Sequence, residues 1–489
     1  MNNYIVLLPV LLPLALGYAS LHMKFENDEK RTKYSIICTA LNSVIVFVML
    51  FMMGGASVNV IDFNSVLSIK FKIDGLGCVF AAMVSFLWPL ATVYASEYMK
   101  HEGKMQKFFA FYLMTFGVTV GLAFSANMLT MYLCYEALTF ITLPLVTHSM
   151  DKRAEYAGKK YLVYSVGGAS LSFIGMMLML FYNGSIEFSY GGIVTEAEPV
   201  LMVAYLLMFI GFGVKAAIFP LHGWLPSASV APTTVTALLH AVAVVKAGVF
   251  AIMRTTYYFF GPDFLKGTWV QNVVMTMAIV TVCFGSWSAA RSRHLKRRFA
   301  YSTVSQLAYI VFGITLMTAD GFKGSMAHML FHGIIKIVLF YTAGAILYTN
   351  HKEFVDDIEG YAEKMPKTFF LFTVSSIALI GIPPLPGFLS KYTLATAAIG
   401  QVGSGNILPF IGVCALMFSA FMTAVYLLEI ITKAYFPSKH LDMEELNHVK
   451  EAPKKLWVPM AVITAVMVSV LFWATPLFDF LETVAKGGF

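Results

Sequence analysis

Three side chains able to carry a proton stand at i, i+4 and i+8 of one apolar stretch: His328, His332 and Lys336 in AHMLFHGIIKIVLFYTAG. On a helix this spacing puts all three on one stripe, which suits a proton relay. Two histidines at i, i+4 are also a zinc pattern. Neither an HExxH glutamate nor a third ligand accompanies them, so the relay is the preferred reading. Glu136, in NMLTMYLCYEALTF, is the clearest carboxylate inside an apolar run and needs a cationic partner. Lys215, in GFGVKAAIFPLHGWLP, is the nearest by sequence order. A Glu–Lys pair would hold each charge in low dielectric, and a static packing pair is the alternative. His240 and Lys246 in TALLHAVAVVKAG add two more protonatable groups, less well matched in phase, and Lys391 closes GIPPLPGFLSK.

The segments that carry these residues belong in lipid. Of the 489 residues 58% are hydrophobic and 12% charged, and the mean hydropathy is +0.73, too apolar for soluble domains of ordinary size. Runs of about 20 apolar residues, enough for a hydrocarbon core of roughly 30 Å, recur along the chain. They predict about fourteen transmembrane helices at 4–23, 34–54, 75–99, 107–125, 127–148, 160–182, 199–220, 232–258, 268–290, 300–318, 321–347, 366–398, 405–435 and 455–482. The more polar stretch 55–74 reads as a short β-hairpin or loop outside the membrane. The first span lacks a basic flank and a small-residue cleavage pattern, and is expected to be a retained helix.

A lysine at the centre of a span costs about 2.5 kcal/mol or more to insert, so it normally faces a cavity or a partner. Lys215, Lys246, Lys336 and Lys391 all lie within apolar spans. Snorkelling to the interface is the alternative for any one of them. Proline and glycine interrupt two spans: Pro220 and Pro226 around the seventh, and Pro383, Pro384, Pro386 and Gly387 in the twelfth. Broken helices at membrane depth expose carbonyls that line a polar cavity, although simple proline kinks would leave the same sequence mark. Two breaks five spans apart, each beside a lysine, predict an inverted repeat of five-helix units. The expected units are 1–106 (helices 1–3), 107–258 (first repeat), 268–435 (second repeat) and 436–489 (a loop and the last helix).

The net charge of +7 is distributed by side. One set of alternate loops holds most of the basic residues, from Lys24 through Arg291, Lys296, Arg298 and Lys439 to Lys455. The other holds only Lys70, Lys72, Arg254, Lys266, Lys323 and Lys486. The first set is expected to be cytoplasmic, which leaves both termini outside. This sidedness, and not nucleic acid, accounts for the positive balance. The five cysteines are scattered singly through apolar spans and no glycine-rich nucleotide loop is present, so no metal, iron–sulfur or other cofactor site is expected.

With these residues in place, the chain resembles the antiporter-like subunits shared by respiratory complex I, the membrane-bound group 4 nickel–iron hydrogenases and the Mrp-type sodium/proton antiporters. The resemblance rests on YEALTF with Glu136, KAAIFPLHGWLP with Lys215, LLHAVAVVKAGVF with His240 and Lys246, LKRRFAYSTVSQLAYI (295–310), HMLFHGIIKIVLFYTAG (328–344) and GIPPLPGFLSK (381–391). These run in family order over residues 70–435. It implies an all-α integral membrane fold with two inverted five-helix repeats and broken helices 7 and 12. It further implies Glu136 and Lys215 as a coupling pair, Lys246 and the His328/His332/Lys336 stripe as carriers, and Lys391 as the terminal exit group. The chain would be a non-catalytic translocating subunit in a prokaryotic plasma membrane, moving protons, with sodium as a second candidate ion. Its implied partners are further antiporter-like membrane subunits and a peripheral arm of iron–sulfur and nickel–iron subunits; the alternative is a D-type Mrp subunit with no redox module. The sequence departs from the family at His294, where an acidic residue is usual, and at Glu429, where arginine is common. The short stretch after the last span suggests that the long lateral helix of one complex I subunit is lacking.

Overall fold

The computed structural model of the chain describes residues 3–196, 198–403, 405–437 and 443–488, so Lys439 lies outside them, as does part of the expected unit 436–489. The short polar breaks set where helices begin. Asn27, Asp74, Asn127 and Asp151 each accept a hydrogen bond from the backbone N–H three residues on, at 2.8, 2.8, 2.9 and 2.7 Å. Each satisfies one of the donors a helix start leaves unpaired.

The longer helices are α1 (Leu8–His22), α2 (Asp28–Met52), α3 (Gly75–Glu102), α4 (Met105–Ala123), α5 (Met128–Val146), α6 (Lys152–Asn183) and α7 (Pro199–Lys215). They continue as α8 (Thr233–Phe260), α9 (Trp269–Arg291), α10 (Leu295–Thr315), α11 (Ala319–Asn350), α12 (Pro366–Ile380), α13 (Pro386–Ile399), α14 (Leu408–Tyr435) and α15 (Lys454–Ala485). Every expected span overlaps one of them, and the chain is a multi-pass, all-α membrane protein. Among the described residues, eleven helices are long and apolar enough to cross a bilayer. The other expected spans are the two broken ones and α10, whose first turn carries Lys296, Arg297 and Arg298. Residues 55–74 do form a hairpin: β1 (Ser57–Asp62) pairs antiparallel with β2 (Ser68–Lys72), with a bulge between Asn59 and Ile61.

Burial ranks the helices. The apolar window of α8 is wholly enclosed by protein and that of α11 is 89% buried, whereas α1 is 33% and α2, α6, α14 and α15 are each 39% buried. Both α8 and α11 lie in the interior of the bundle beside the equally buried α10, and together those two carry five of the eight candidate residues.

Both expected breaks exist. Helix α7 stops at Lys215, and the chain turns through Ala217, a non-glycine residue in the left-handed region at φ +55°. The Trp224 indole N–H then takes up the Val214 carbonyl at 2.7 Å, one of those the break exposes. Helix α12 stops at Ile380, Gly381 follows at φ +94°, and α13 starts at Pro386. A third irregularity has no proline or glycine to announce it: α8 widens into π-helical turns at Leu238–Val242 and Thr255–Phe260. Such turns leave backbone groups out of α-helical register and recur at functional sites.

Candidate functional site

The wholly buried Lys246 amine on α8 meets the wholly buried His332 Nδ1 on α11 in a direct hydrogen bond. One turn along α11 the His328 ring stacks with that of His332, centroids 6.2 Å apart. His328 Nδ1 is 2.9 Å from Ser390 Oγ on α13, and its Nε2 is 3.2 Å from Gln306 Oε1 on α10. Ser390 adjoins Lys391, whose amine folds back to donate to the Leu379 and Ile380 carbonyls at 2.6 and 3.1 Å. Lys391 thereby caps the carboxyl end of α12, where a cation is favoured by the helix dipole. The row Lys246–His332–His328–Ser390–Lys391 thus runs across three helices, hydrogen-bonded at Lys246–His332 and at His328–Ser390, with ring stacking between the two histidines and chain adjacency between Ser390 and Lys391.

At the other end, Lys215 approaches through a bare backbone contact. A Cβ on Gly248 would stand 2.4 Å from Ala216 N and 2.7 Å from the Lys215 carbonyl carbon, so only glycine lets α8 pack against the end of α7 two residues from Lys246. Lys336 donates to Ser302 Oγ at 2.6 Å and sits over the Phe299 ring. His240 lies against Phe340, centroids 4.8 Å apart, and neither of its ring nitrogens has a hydrogen-bond partner among the described residues.

Glu136 and Lys215 face one another as charges, but no ion pair within 4.0 Å joins them. The wholly buried Lys215 amine donates to the Tyr135 carbonyl and stands 3.5 Å from the Tyr135 ring centroid. Glu136 is half-buried, and its Oε1 has no partner among the described residues. Tyr135 carries the lysine that sequence order assigns to Glu136.

Charges at the ends of spans were the larger omission. Counting Arg254, Lys296 and Arg298 as loop residues is corrected by their burial: Arg254 and Arg298 are 0% exposed and Lys296 is 7%. Arg254 makes a two-pronged pair with Asp74, Nη2 to Oδ1 at 2.6 Å, while Asp74 also caps α3. Arg298 pairs with Glu429 at 2.8 Å, so the departure at Glu429 supplies a half-buried counter-ion to a buried guanidinium. A signal existed for Arg254, eight residues after Lys246 and therefore near the same helical face. In the loop after α11, the Glu353 carboxyl is held below its ordinary range, first by a hydrogen bond from His294 and then by Lys296.

A multi-pass bundle that buries lysines and histidines in a row across α8, α11 and α13 defines a class of membrane subunit with charged groups in its interior. The chain belongs to the NADH:quinone oxidoreductase/Mrp antiporter transmembrane family, whose model matches residues 125–422; residues 60–109 match the chain 5 N-terminus of NADH-ubiquinone oxidoreductase (complex I). It is 30% identical to NADH-quinone oxidoreductase subunit L of Mycobacterium tuberculosis over 400 residues, 80% of this chain and 61% of that one. The chain therefore spans only about three fifths of that relative's length. Against subunit N of Desulforudis audaxviator it is 30% identical over 373 residues, 75% of this chain and 73% of the relative. In fold it is similar to a chain of the archaeal membrane-bound sulfane sulfur reductase, with TM-score 0.85, 22% identity, and 99% of this chain and 97% of that chain covered.

Proposed function

We propose that this chain is the proton-translocating, non-catalytic membrane subunit of a redox-driven complex, with sodium as the alternative coupling ion. The observation that carries the reading is the hydrogen bond between Lys246 and His332, wholly buried between α8 and α11 and continued through His328 and Ser390 to Lys391. A protonated amine on Lys246 gives its proton to the neutral His332 ring. The row returns to its starting state when the next proton arrives from the Lys215 side. Approach of Glu136 to Lys215 stabilises the charged form of both, and their separation changes the field at Lys246; this is the coupling step. The two breaks, α7 at Lys215 and the α12–α13 elbow at Lys391, are the matching elements of two inverted five-helix repeats. The basic loops face the cytoplasm of a prokaryotic cell, with both termini outside.

The chain holds no cofactor in this reading. Electron transfer belongs to a peripheral arm of iron–sulfur and nickel–iron subunits, and further antiporter-like subunits adjoin the chain in the membrane. The family also contains Mrp antiporter subunits, and copurification separates the two assemblies. Iron–sulfur and nickel subunits support a redox arm, and small Mrp-type membrane subunits replace that assignment with an antiporter. Translocation is tested in the reconstituted complex carrying Glu136→Gln, which keeps shape and removes charge, or Lys246→Ala. Loss of ion movement with normal subunit stoichiometry is expected. Wild-type translocation by both variants, fully assembled, would refute the role of the row.

A further inference from the structure

The proposed row leaves one buried polar string unused, in the seam where α10, α11 and α14 meet. Lys336 Nζ on α11 donates to Ser302 Oγ on α10 at 2.6 Å. Ser302 Oγ is 2.6 Å from the Tyr426 hydroxyl on α14, which reaches Thr423 Oγ1 at 3.3 Å. All four residues are buried, at 0–1% exposure. One turn nearer the basic face the same two helices carry Arg298, at i−4 from Ser302, and Glu429, at i+3 from Tyr426. They are paired at 2.8 Å, and Arg298 Nη1 also donates to the Tyr426 carbonyl at 2.9 Å. Arg293 at 2.7 Å and Lys433 at 3.6 Å hold the outer side of Glu429, with Asp356 beside them. Arg298 Nη2, although buried, has no partner among the described residues.

We propose that Ser302 and Tyr426 form a hydroxyl wire joining Lys336 to the basic face, gated at its mouth by the Arg298–Glu429 pair. It would be a second access to the row, separate from the Glu136–Lys215 end. The inference rests on the reading of the row as a proton path. Serine and tyrosine hydroxyls each donate once while still accepting, so a proton passes along them without either being consumed. With Lys336 as the neutral amine, Ser302 gives its proton to Nζ, Tyr426 gives its own to Ser302, and Tyr426 takes one up, through bridging water, from a hydronium that the bulk supplies at the mouth. Only O–H and N–H bonds change, and both hydroxyls are restored. The Tyr426 hydroxyl points toward Thr423, on the side of Tyr426 away from Glu429, so bridging water completes the wire between it and the Arg298–Glu429 pair. A bland packing role would explain one serine–tyrosine contact. It does not explain why the string starts at a buried amine and ends beneath a buried guanidinium that has an unspent donor and is paired to a half-buried carboxylate.

The experiment is ion translocation by the full complex reconstituted with Ser302→Ala, Ser302→Thr, Tyr426→Phe, the Ser302→Ala/Tyr426→Phe double variant, or Lys336→Ala, each checked for subunit stoichiometry. A wire in series predicts that Ser302→Ala and Tyr426→Phe each lower the rate about tenfold or more, the scale of a lost proton-transfer group. The double variant should then be no worse than the poorer single one, and Ser302→Thr, which keeps the hydroxyl, should stay near wild type. Near-normal rates for both single variants beside an inactive Lys336→Ala complex overturn the wire and leave the row intact. Wild-type translocation by Lys336→Ala as well excludes Lys336 from translocation, and the wire with it. If Tyr426→Phe fails to assemble, the serine pair decides: a threonine variant as poor as the alanine one overturns the proposal.

Discussion

Removing the carboxylate of Asp74 strands a guanidinium in the protein interior. Arg254 is 0% exposed, its charge is met by Asp74 through two hydrogen bonds, and the Phe250, Phe188 and Tyr258 rings within 4.8–5.4 Å offer it no second anion. Breaking a buried pair from one side costs about 3–5 kcal/mol, because the remaining charge is left uncompensated. Asp74 also caps α3 through Gly77 N–H, which adds about 1 kcal/mol. Asp74→Ala should therefore destabilise the chain by about 4–6 kcal/mol, seen as a lower melting temperature of the detergent-solubilised complex and a smaller assembled fraction. Asp74→Asn keeps a cap oxygen and should lose less. In the double variant Asp74→Ala/Arg254→Leu no charge is stranded, so stability should recover above the Asp74→Ala level by about 2 kcal/mol or more. Equal melting of Asp74→Ala and wild type, or strictly additive losses in the double variant, would refute the reasoning.

Gly387→Ala should open the α12–α13 elbow, since its Cβ would lie 1.8 Å from the Ala378 carbonyl oxygen; a loss of about 3 kcal/mol is expected in melting experiments, and an unchanged melt would contradict the packing. At the basic face, Glu353 has a folded-state pKa below its ordinary 4.5. Its stabilising contribution is complete above that value and is lost as pH falls through the lowered folded one. The melting difference between wild type and Glu353→Gln should vanish on acidification, and a difference that persists at the lowest pH would exclude the His294 bond as its source.

The row was legible because an ionised side chain in an apolar run is costly enough to need a reason. Lys215, Lys246, Lys336 and Lys391 stood out on that ground alone. The breaks at Lys215 and Gly381 were legible from proline and glycine. Order along the chain could not supply the hydrogen-bond acceptor of Lys215, because the Tyr135 carbonyl that binds it is offered by the backbone, which every residue has. Arg254 and Arg298 were missed for a different reason. Basic residues at span ends usually reach water, and these two are held inside by carboxylates 180 and 131 positions away in sequence, Asp74 and Glu429. The π turn of α8 at Leu238–Val242 left no mark because a mostly apolar run of Leu, Ala and Val fits either helical register.

That turn makes α8 unusually intolerant of a change in length. Each residue of a helix advances the side-chain direction by about 100°. The wide turn at Leu238–Val242 absorbs an extra residue between His240 and Lys246 while the helix stays enclosed on all sides. Most helices accommodate a one-residue deletion by sliding an end into a loop. Here a deletion within 238–242 would let the turn close to ordinary pitch and swing everything before it, His240 included, by roughly a quarter of a revolution away from the Phe340 side of α11. Single-residue deletion scanning along α8 should thus find its sharpest drop in assembly or transport at this stretch, where no proline, glycine or charge advertises a constraint.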